Sequence, residues 1–454
     1  MLKGINYSFL NLMPQRLFLS WIAWFLILQM SAILLIGVSY KSSLRNDITR
    51  PFVGKEFWPN PQMNWQLKNG RMEVMISKGG KTHDIHLLTH QLKSEEGSFS
   101  QSVRLSFEKI NPLKVKRAGF KFGIVGAMPE EYRSNLFGSS GYMAGVTSEG
   151  KLFGPGIESK TTLPKSALED LRLTLKVEHK GNGFDFILEA SKRSNEDKSS
   201  VLLFINKSVR MKKGLLGNFA LFADYSQKNH AASIPADIQE FQTDASFQDW
   251  QISGNKVKQN LDQTFGPILW TQYTLHRGVM KMTAQVSPMG RMNREKVHLE
   301  LWKEDKWKRV QSSVIHEYAS TAHFRIENWN DQQPVPFRVF LKDGNEMGEW
   351  KGTIRKDPRN KKTIKLAALS CMKDGAFPNQ YLQQNILAQN PDILFFAGDQ
   401  LYESNGGYGI VRAYKLADVP RASLNYLQKY WIFGWSFRDA MKDRPSVVIP
   451  DDHD

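Results

Sequence analysis

The chain holds one cysteine, Cys371, among 454 residues. An internal disulfide is therefore excluded, and cysteine usage carries no information on redox compartment. Long blocks of Lys or Arg are also missing, as is any RNA- or DNA-binding signature, although Lys plus Arg number 61 against 45 Asp plus Glu and the formal net charge is +16. A scattered positive excess attracts phosphate esters, anionic polysaccharide or acidic lipid, and equally describes ordinary solvated basic faces. At this length the chain exceeds one ordinary domain, and three globular units account for its patterns.

One long apolar run is present, Leu17 to Tyr40, uncharged and interrupted by Ser20, Gln29, Ser31 and Ser39. At ~1.5 Å per residue it spans a ~30 Å hydrocarbon core, and it exceeds the ~7–15 apolar residues of a cleaved signal peptide. Residues 17–40 are expected as a single-pass anchor in membrane lipid after a short tail, 1–16. The bulk of the chain is then extracytoplasmic, in a periplasm or at a cell surface. Lys3 and Arg16 before the run are balanced by Lys41, Arg45 and Arg50 after it, so charge does not set the orientation.

After a linker, 41–60, the pattern turns to period two, the mark of half-buried strands. Met72, Val74 and Ile76 alternate after an Asn69-Gly70 turn. Leu171, Leu173, Leu175 and Val177 alternate with Arg172, Thr174, Lys176 and Glu178, and Gly181-Asn182-Gly183 turns the chain into Phe184, Phe186 and Leu188. Residues 61–245 are expected as an all-β sandwich. From the strand of Trp65 to the closing Gly217–Phe222, the layout resembles the concanavalin-A-like (laminin-G-like) jelly rolls, and that resemblance implies a polysaccharide ligand. His83, His86 and His90 are close in sequence, but on a strand His86 and His90 lie roughly 13 Å apart, too far to share an ion.

Residues 246–356 read as a smaller immunoglobulin- or fibronectin-like sandwich, from the alternation of Met280, Met282, Ala284 and Val286 and from Val297–Trp302 and Pro336–Leu341. Trp270, Trp302, Trp307 and Trp329 form either a sugar-stacking platform or core and edge packing. The basic tract 357–363 reads as a linker.

The last stretch, 364–454, reads as the first half of an α/β domain. A short strand ends at Ser370-Cys371, a helix is predicted over 379–389, and Asp392–Ala397 is an apolar run suited to a strand buried on both faces. This β-α-β pattern puts Cys371 and Gly398-Asp399 at the same sheet edge, where α/β sites form. A second helical region, 421–441, leads to strand 446–449 and then Asp451-Asp452-His453-Asp454. Phosphoester cleavage builds charge on oxygen while hydroxide attacks in line, and two cations joined by a carboxylate answer both needs. Asp399 is the candidate bridging and catalytic carboxylate and Asp452 a second hard ligand. Cys371 and Tyr402, as thiolate and phenolate, suit a trivalent ion such as iron. His453 could protonate the leaving oxygen or hold the phosphate. Glu403 and Asp451 are expected to orient neighbours, and Gly406-Gly407 to form a flexible loop.

Ser370-Cys371, Gly398-Asp399-Gln400-Leu401-Tyr402-Glu403 and Asp451-Asp452-His453-Asp454 resemble the successive motifs of the alkaline phosphatase D (PhoD-like) branch of the calcineurin-like metallophosphoesterases. The resemblance implies hydrolysis of phosphodiester or phosphomonoester substrates with iron and calcium or similar ions. It makes Cys371, Asp399, Tyr402 and Asp452 metal ligands and His453 the phosphate-side acid, and it matches residues 246–356 to the N-terminal β-sandwich of that branch. The branch's later histidine ligands have no counterpart here, so either a fragment of a longer protein, which is the expected case, or a degenerate relative is implied. The resulting expectation is a membrane-anchored extracytoplasmic metal-dependent phosphoesterase, a hydrolase. The alternative is a non-catalytic cell-surface protein that binds glycan or protein through its sandwiches.

Overall fold

A computed structural model describes residues 37–75, 83–107, 115–193, 199–211, 214–225, 243–290 and 295–454. Their architecture is mostly β-sandwich, with two helices of ten residues or more, α1 (Gln380–Gln389) and α2 (Val419–Met441). The alternating strands do what their period demands. Leu171, Leu173, Leu175 and Val177 are buried while Arg172, Thr174, Lys176 and Glu178 point outward, because successive side chains leave opposite faces of a strand.

The first sandwich packs a nine-stranded sheet on an eight-stranded one. The larger sheet centres on Leu171–Lys180, Gly97–Phe107 and Thr243–Gly254, and the smaller on Val115–Ile124, Gly217–Tyr225 and His83–Leu92, with neighbouring strands antiparallel. This is a jelly-roll type of sandwich. Phe99, Phe122 and Phe219 meet edge to face between the sheets at centroid separations of 5.4–5.6 Å, and each fully buried ring contributes about 1.5–3 kcal/mol by leaving water.

The sandwich is larger than the sequence pattern predicts at both ends. Residues 17–36 of the expected anchor lie outside the described residues, but Val38–Lys41 are not helical. They pair with Gln251–Gly254, and Tyr40 is buried with its hydroxyl donating to Glu56 at 2.6 Å. Among the described residues no helix is long and apolar enough to cross a membrane. The expected linker 41–60 instead contributes strands Thr49–Arg50 and Phe57–Asn60. A boundary at 245/246 would cut strand Thr243–Gly254, whose Phe247, Trp250 and Ile252 fill the first core. Strand Val257–Gln259 also pairs within the first sandwich.

The second sandwich sets a three-stranded sheet (Ile268–His276, Val279–Val286, Thr321–Ile326) against a four-stranded one (Lys306–Val314, Lys296–Lys303, Val335–Asp343, Glu346–Ile354). Trp270 and Trp329 are buried, whereas Trp302 is 40% exposed, so the four tryptophans form no common platform. Trp302 and Trp307 meet at the Glu304-Asp305 turn.

The C-terminal unit is a three-stranded parallel sheet in the order Leu366–Leu369, Ile393–Ala397, Ser446–Ile449. Helix α1 links the first two strands and α2 the last two. Helix α2 wedges this unit against both sandwiches. Its Trp435 lies 5.2 Å from Trp58 and 4.7 Å from Phe265, and Gly434 faces the ring of Trp270 so closely that an added Cβ would sit 2.3 Å from it. The three units thereby share one apolar junction.

Candidate metal centre

Parallel pairing puts the carboxyl ends of all three C-terminal strands on one edge, with Leu369 opposite Phe396 and Ala397 opposite Ile449. The residues that follow, Cys371, Asp399 and Asp452, leave that edge together. The Cys371 N–H donates to the Gly398 carbonyl at 3.3 Å and the Met372 N–H to that of Asp399 at 2.8 Å. Gly398 has φ +88°, and a Cβ there would meet the Asp451 side chain at 2.4 Å, so the close approach of these two loops requires glycine. Cys371 (φ +61°) and Asp399 (φ +57°) both adopt left-handed backbone. Such conformations cost about 1–3 kcal/mol each in a non-glycine residue and cluster at functional sites.

Around Asp399 the donors converge. Tyr402 donates its hydroxyl to Asp399 Oδ2 at 2.9 Å, and Cys371 Sγ lies 3.7 Å from the same oxygen. Ligand atoms of Asp399, Asp452 and His453 lie within 4.8 Å of one another. His453 Nδ1 pairs with Glu403 Oε2 at 2.9 Å, and its ring sits 4.5 Å from that of Tyr402. Asp399 is 9% exposed and its Oδ1 is buried without a hydrogen-bond partner. A buried carboxylate oxygen with nothing to accept from is expensive, and a water or a cation would satisfy it.

Cys371 first and Asp399 second hold the Tyr402 phenol well above its usual range, because both disfavour a phenolate beside them. A cation seated among these groups would reverse that preference. The Glu403 carboxylate raises the His453 imidazole. Glu403 is itself lowered, first by its own backbone N–H and then by His453. Asp399, Asp452 and His453 are the residues whose donor atoms lie close enough to hold one ion; the carboxylate and phenol oxygens suit a hard ion, whereas the Cys371 thiol is a softer donor.

Several neighbours are not apparent from sequence patterns. Asp454 accepts from the Leu401 and Asp451 N–H groups, at 3.1 Å each, and so fixes the turn that carries Asp452 and His453. Lys373 places its ammonium 5.9 Å from the Tyr402 ring centre. Gly406-Gly407, expected as a flexible loop, is a hydrogen-bonded turn, with the Gly406 N–H donating to Asp374 Oδ2 at 2.6 Å and that of Gly407 to the Ser404 carbonyl. The Asp454–Asp451 and Gly407–Ser404 contacts are local turns, whereas the Leu401, Lys373 and Asp374 contacts are made across the fold. His83, His86 and His90 are buried along one strand, near Asn64, Asp84 and Thr89 respectively, and do not converge. Elsewhere in the first sandwich, Gln91, Lys93, Glu95, Glu130, Tyr132 and Lys258 line a polar cavity of about 150 Å³.

No family model and no curated protein matches the chain. Solved structures do match. The carbohydrate recognition domain of Emp47p aligns at 11% identity over 47% of this chain and 96% of that one, with a TM-score of 0.25. An endo-1,3-beta-glucanase from Streptomyces sioyaensis aligns at 10% over 48% and 96%, with a TM-score of 0.32. A lectin from Bauhinia forficata in complex with GalNAc aligns at 10% over 48% and 98%, with a TM-score of 0.29. The jelly-roll assignment rests on the strand pairings described above. Two expectations are corrected. The description of the chain as a member of the alkaline phosphatase D (PhoD-like) branch rests on three short segments, and no family model matches it. The expected membrane helix is corrected at its end, where Val38–Lys41 form a sheet strand, and among the described residues no helix is long and apolar enough to cross a membrane.

Proposed function

We propose that the chain is a jelly-roll ligand-binding protein whose C-terminal sheet edge carries a metal-ion site that takes phosphate esters. The observation that carries this reading is Asp399, a buried carboxylate with an unpartnered oxygen, on left-handed backbone, ringed by Cys371, Tyr402, Asp452 and His453. Iron with calcium, or similar ions, suits the donor types. A bound ion supplies electrophilic polarisation of a phosphoryl oxygen and a more acidic water. Asp399 would be the residue to hold such an ion, or to be shared if two were bound. His453, held by Glu403, is placed to hold the phosphate or return a proton to the leaving oxygen. Lys373 adds a positive charge beside Tyr402, and the +16 net charge of the chain attracts anions in general. Hydrolysis is the reaction that such an arrangement would run.

A second reading is favoured by the polar cavity between Gln91 and Tyr132. Its amide, carboxylate and phenol groups suit hydroxyls, so glycan binding by the first sandwich is the alternative role. One experiment separates the two. Full-chain protein supplied with iron and calcium is assayed on bis(p-nitrophenyl) phosphate and, in parallel, on a glycan array. The metal-site reading expects turnover that falls at least ~100-fold in Asp399→Asn. Turnover that is absent or indifferent to Asp399 contradicts it, and glycan capture in that case supports the second reading.

A further inference from the structure

One buried polar junction ties the metal-site loops to the first sandwich. Asn60 ends strand Phe57–Asn60 and is 8% exposed. Its side-chain oxygen accepts from Trp58 Nε1 at 2.8 Å, from Gln428 Nε2 of α2 at 3.5 Å and from the Tyr408 hydroxyl. Its side-chain nitrogen donates to Asp84 Oδ1 at 3.1 Å and to the Leu136 carbonyl at 2.7 Å. Asn60 is thus fixed from both sides within the sandwich, and Tyr408 reaches it from the loop that carries Tyr402.

From Tyr408 the connection runs on to both ligand loops. Its ring lies against Gly406, where an added Cβ would meet ring carbons at 2.0 Å. The Gly406 N–H donates to Asp374 Oδ2 at 2.6 Å, and the Asp374 N–H donates to Asn405 Oδ1 at 3.4 Å. The Asn405 N–H donates to the Tyr402 carbonyl at 3.0 Å, and the Lys373 N–H to that of Cys371 at 3.1 Å. The loop contains Gly406, Gly407 and Gly409, all with φ between +66° and +69°. Glycines at these positions have the largest backbone entropy to lose, so the loop needs an external anchor to hold a ligand within the ~0.5 Å that a working site requires. The Tyr408–Asn60 bond is that anchor, and burial keeps the Tyr408 phenol in its neutral, donating form.

We propose that Asn60 and Tyr408 are positioning residues for the metal centre, so that the first sandwich sets the spacing of the Cys371 and Tyr402 loops and is a working part of the site. This rests on the metal-site reading given above. The test uses the full chain and Mn²⁺ alone, with free ion counted by electron paramagnetic resonance and folding followed by thermal unfolding. Tyr408→Phe removes one hydroxyl, and Asp374→Asn weakens the next acceptor at a site away from the buried junction. Each is expected to weaken Mn²⁺ binding about 10-fold, the scale of groups that orient metal ligands, with a native-like unfolding transition. In a Tyr402→Phe background the loss from Tyr408→Phe should shrink, since both act through one loop. Wild-type affinity in Tyr408→Phe and Asp374→Asn, or losses that simply add to that of Tyr402→Phe, overturns the positioning role while leaving the metal site standing. A wild-type chain that takes up no Mn²⁺ overturns both.

Discussion

Asp399 shows how far single residues can be read from sequence. Its place after an apolar run marks it as a candidate site residue and Asp452 follows a strand end, whereas Tyr402 is singled out by the resemblance of the Gly398–Glu403 segment. Its unpartnered oxygen and its left-handed backbone depend on three loops meeting, and no local pattern reports that. His90 is the opposite case. It stands in strand His83–Leu92, which is buried along its whole length, is 1% exposed, and burial lowers its imidazole to about 4. In the unfolded chain a histidine titrates near ~6.5, so between these values the unfolded state binds the proton more readily. The stability tied to neutral His90 is therefore fully present above pH ~6.5 and is lost as pH falls towards about 4, by about 3 kcal/mol at most. Urea unfolding at pH 7 and pH 4.5 measures this. His90→Gln should lose less stability over that interval than the wild type, and an equal loss in both would show that His90 does not contribute.

At the scale of elements, long strands are legible and short ones are not. Leu171–Lys180 announces itself by five alternations, whereas Val38–Lys41, Thr49–Arg50 and Phe57–Asn60 have two to four residues and no period to detect. Their positions are fixed by pairing with Thr243–Gly254, Trp65–Lys68 and His83–Leu92, contacts that local patterning cannot supply. The apolar character of 17–40 likewise reads as membrane helix up to its last residues, where the backbone of Val38–Tyr40 is taken up by a sheet. Helix α2 shows a different kind of constraint. Gly434 is buried in mid-helix against Trp270, a place where alanine would normally gain up to ~1 kcal/mol of helix propensity. Here the added methyl must displace an indole, and overpacking costs about 1–3 kcal/mol. Gly434→Ala should therefore lower the thermal midpoint, and a midpoint at or above the wild-type value would show that the α2 contact is loose.

At the scale of the molecule, the separate units suggested by the sequence are joined through α2. Trp58 and Phe265 come from the first sandwich and its exit, Trp270 from the second, and Trp431 and Trp435 from α2, all in one apolar cluster. The polar path from Asn60 to Tyr402 runs beside it. The strand-end motifs were legible because a parallel β-α-β unit delivers consecutive strand ends to one edge. Their bracing by a jelly roll more than 300 residues upstream (Tyr408 with Asn60, 348 positions apart) was not, because nothing local encodes it. The central claim, that this edge holds metal, is tested most directly by equilibrium dialysis of the full chain against Mn²⁺ with metal analysis of the retained protein. The account predicts at least one ion bound per chain in the wild type and occupancy falling to background in Asp399→Asn at the same free concentration. Background occupancy in the wild type, or equal occupancy in the two proteins, would contradict it.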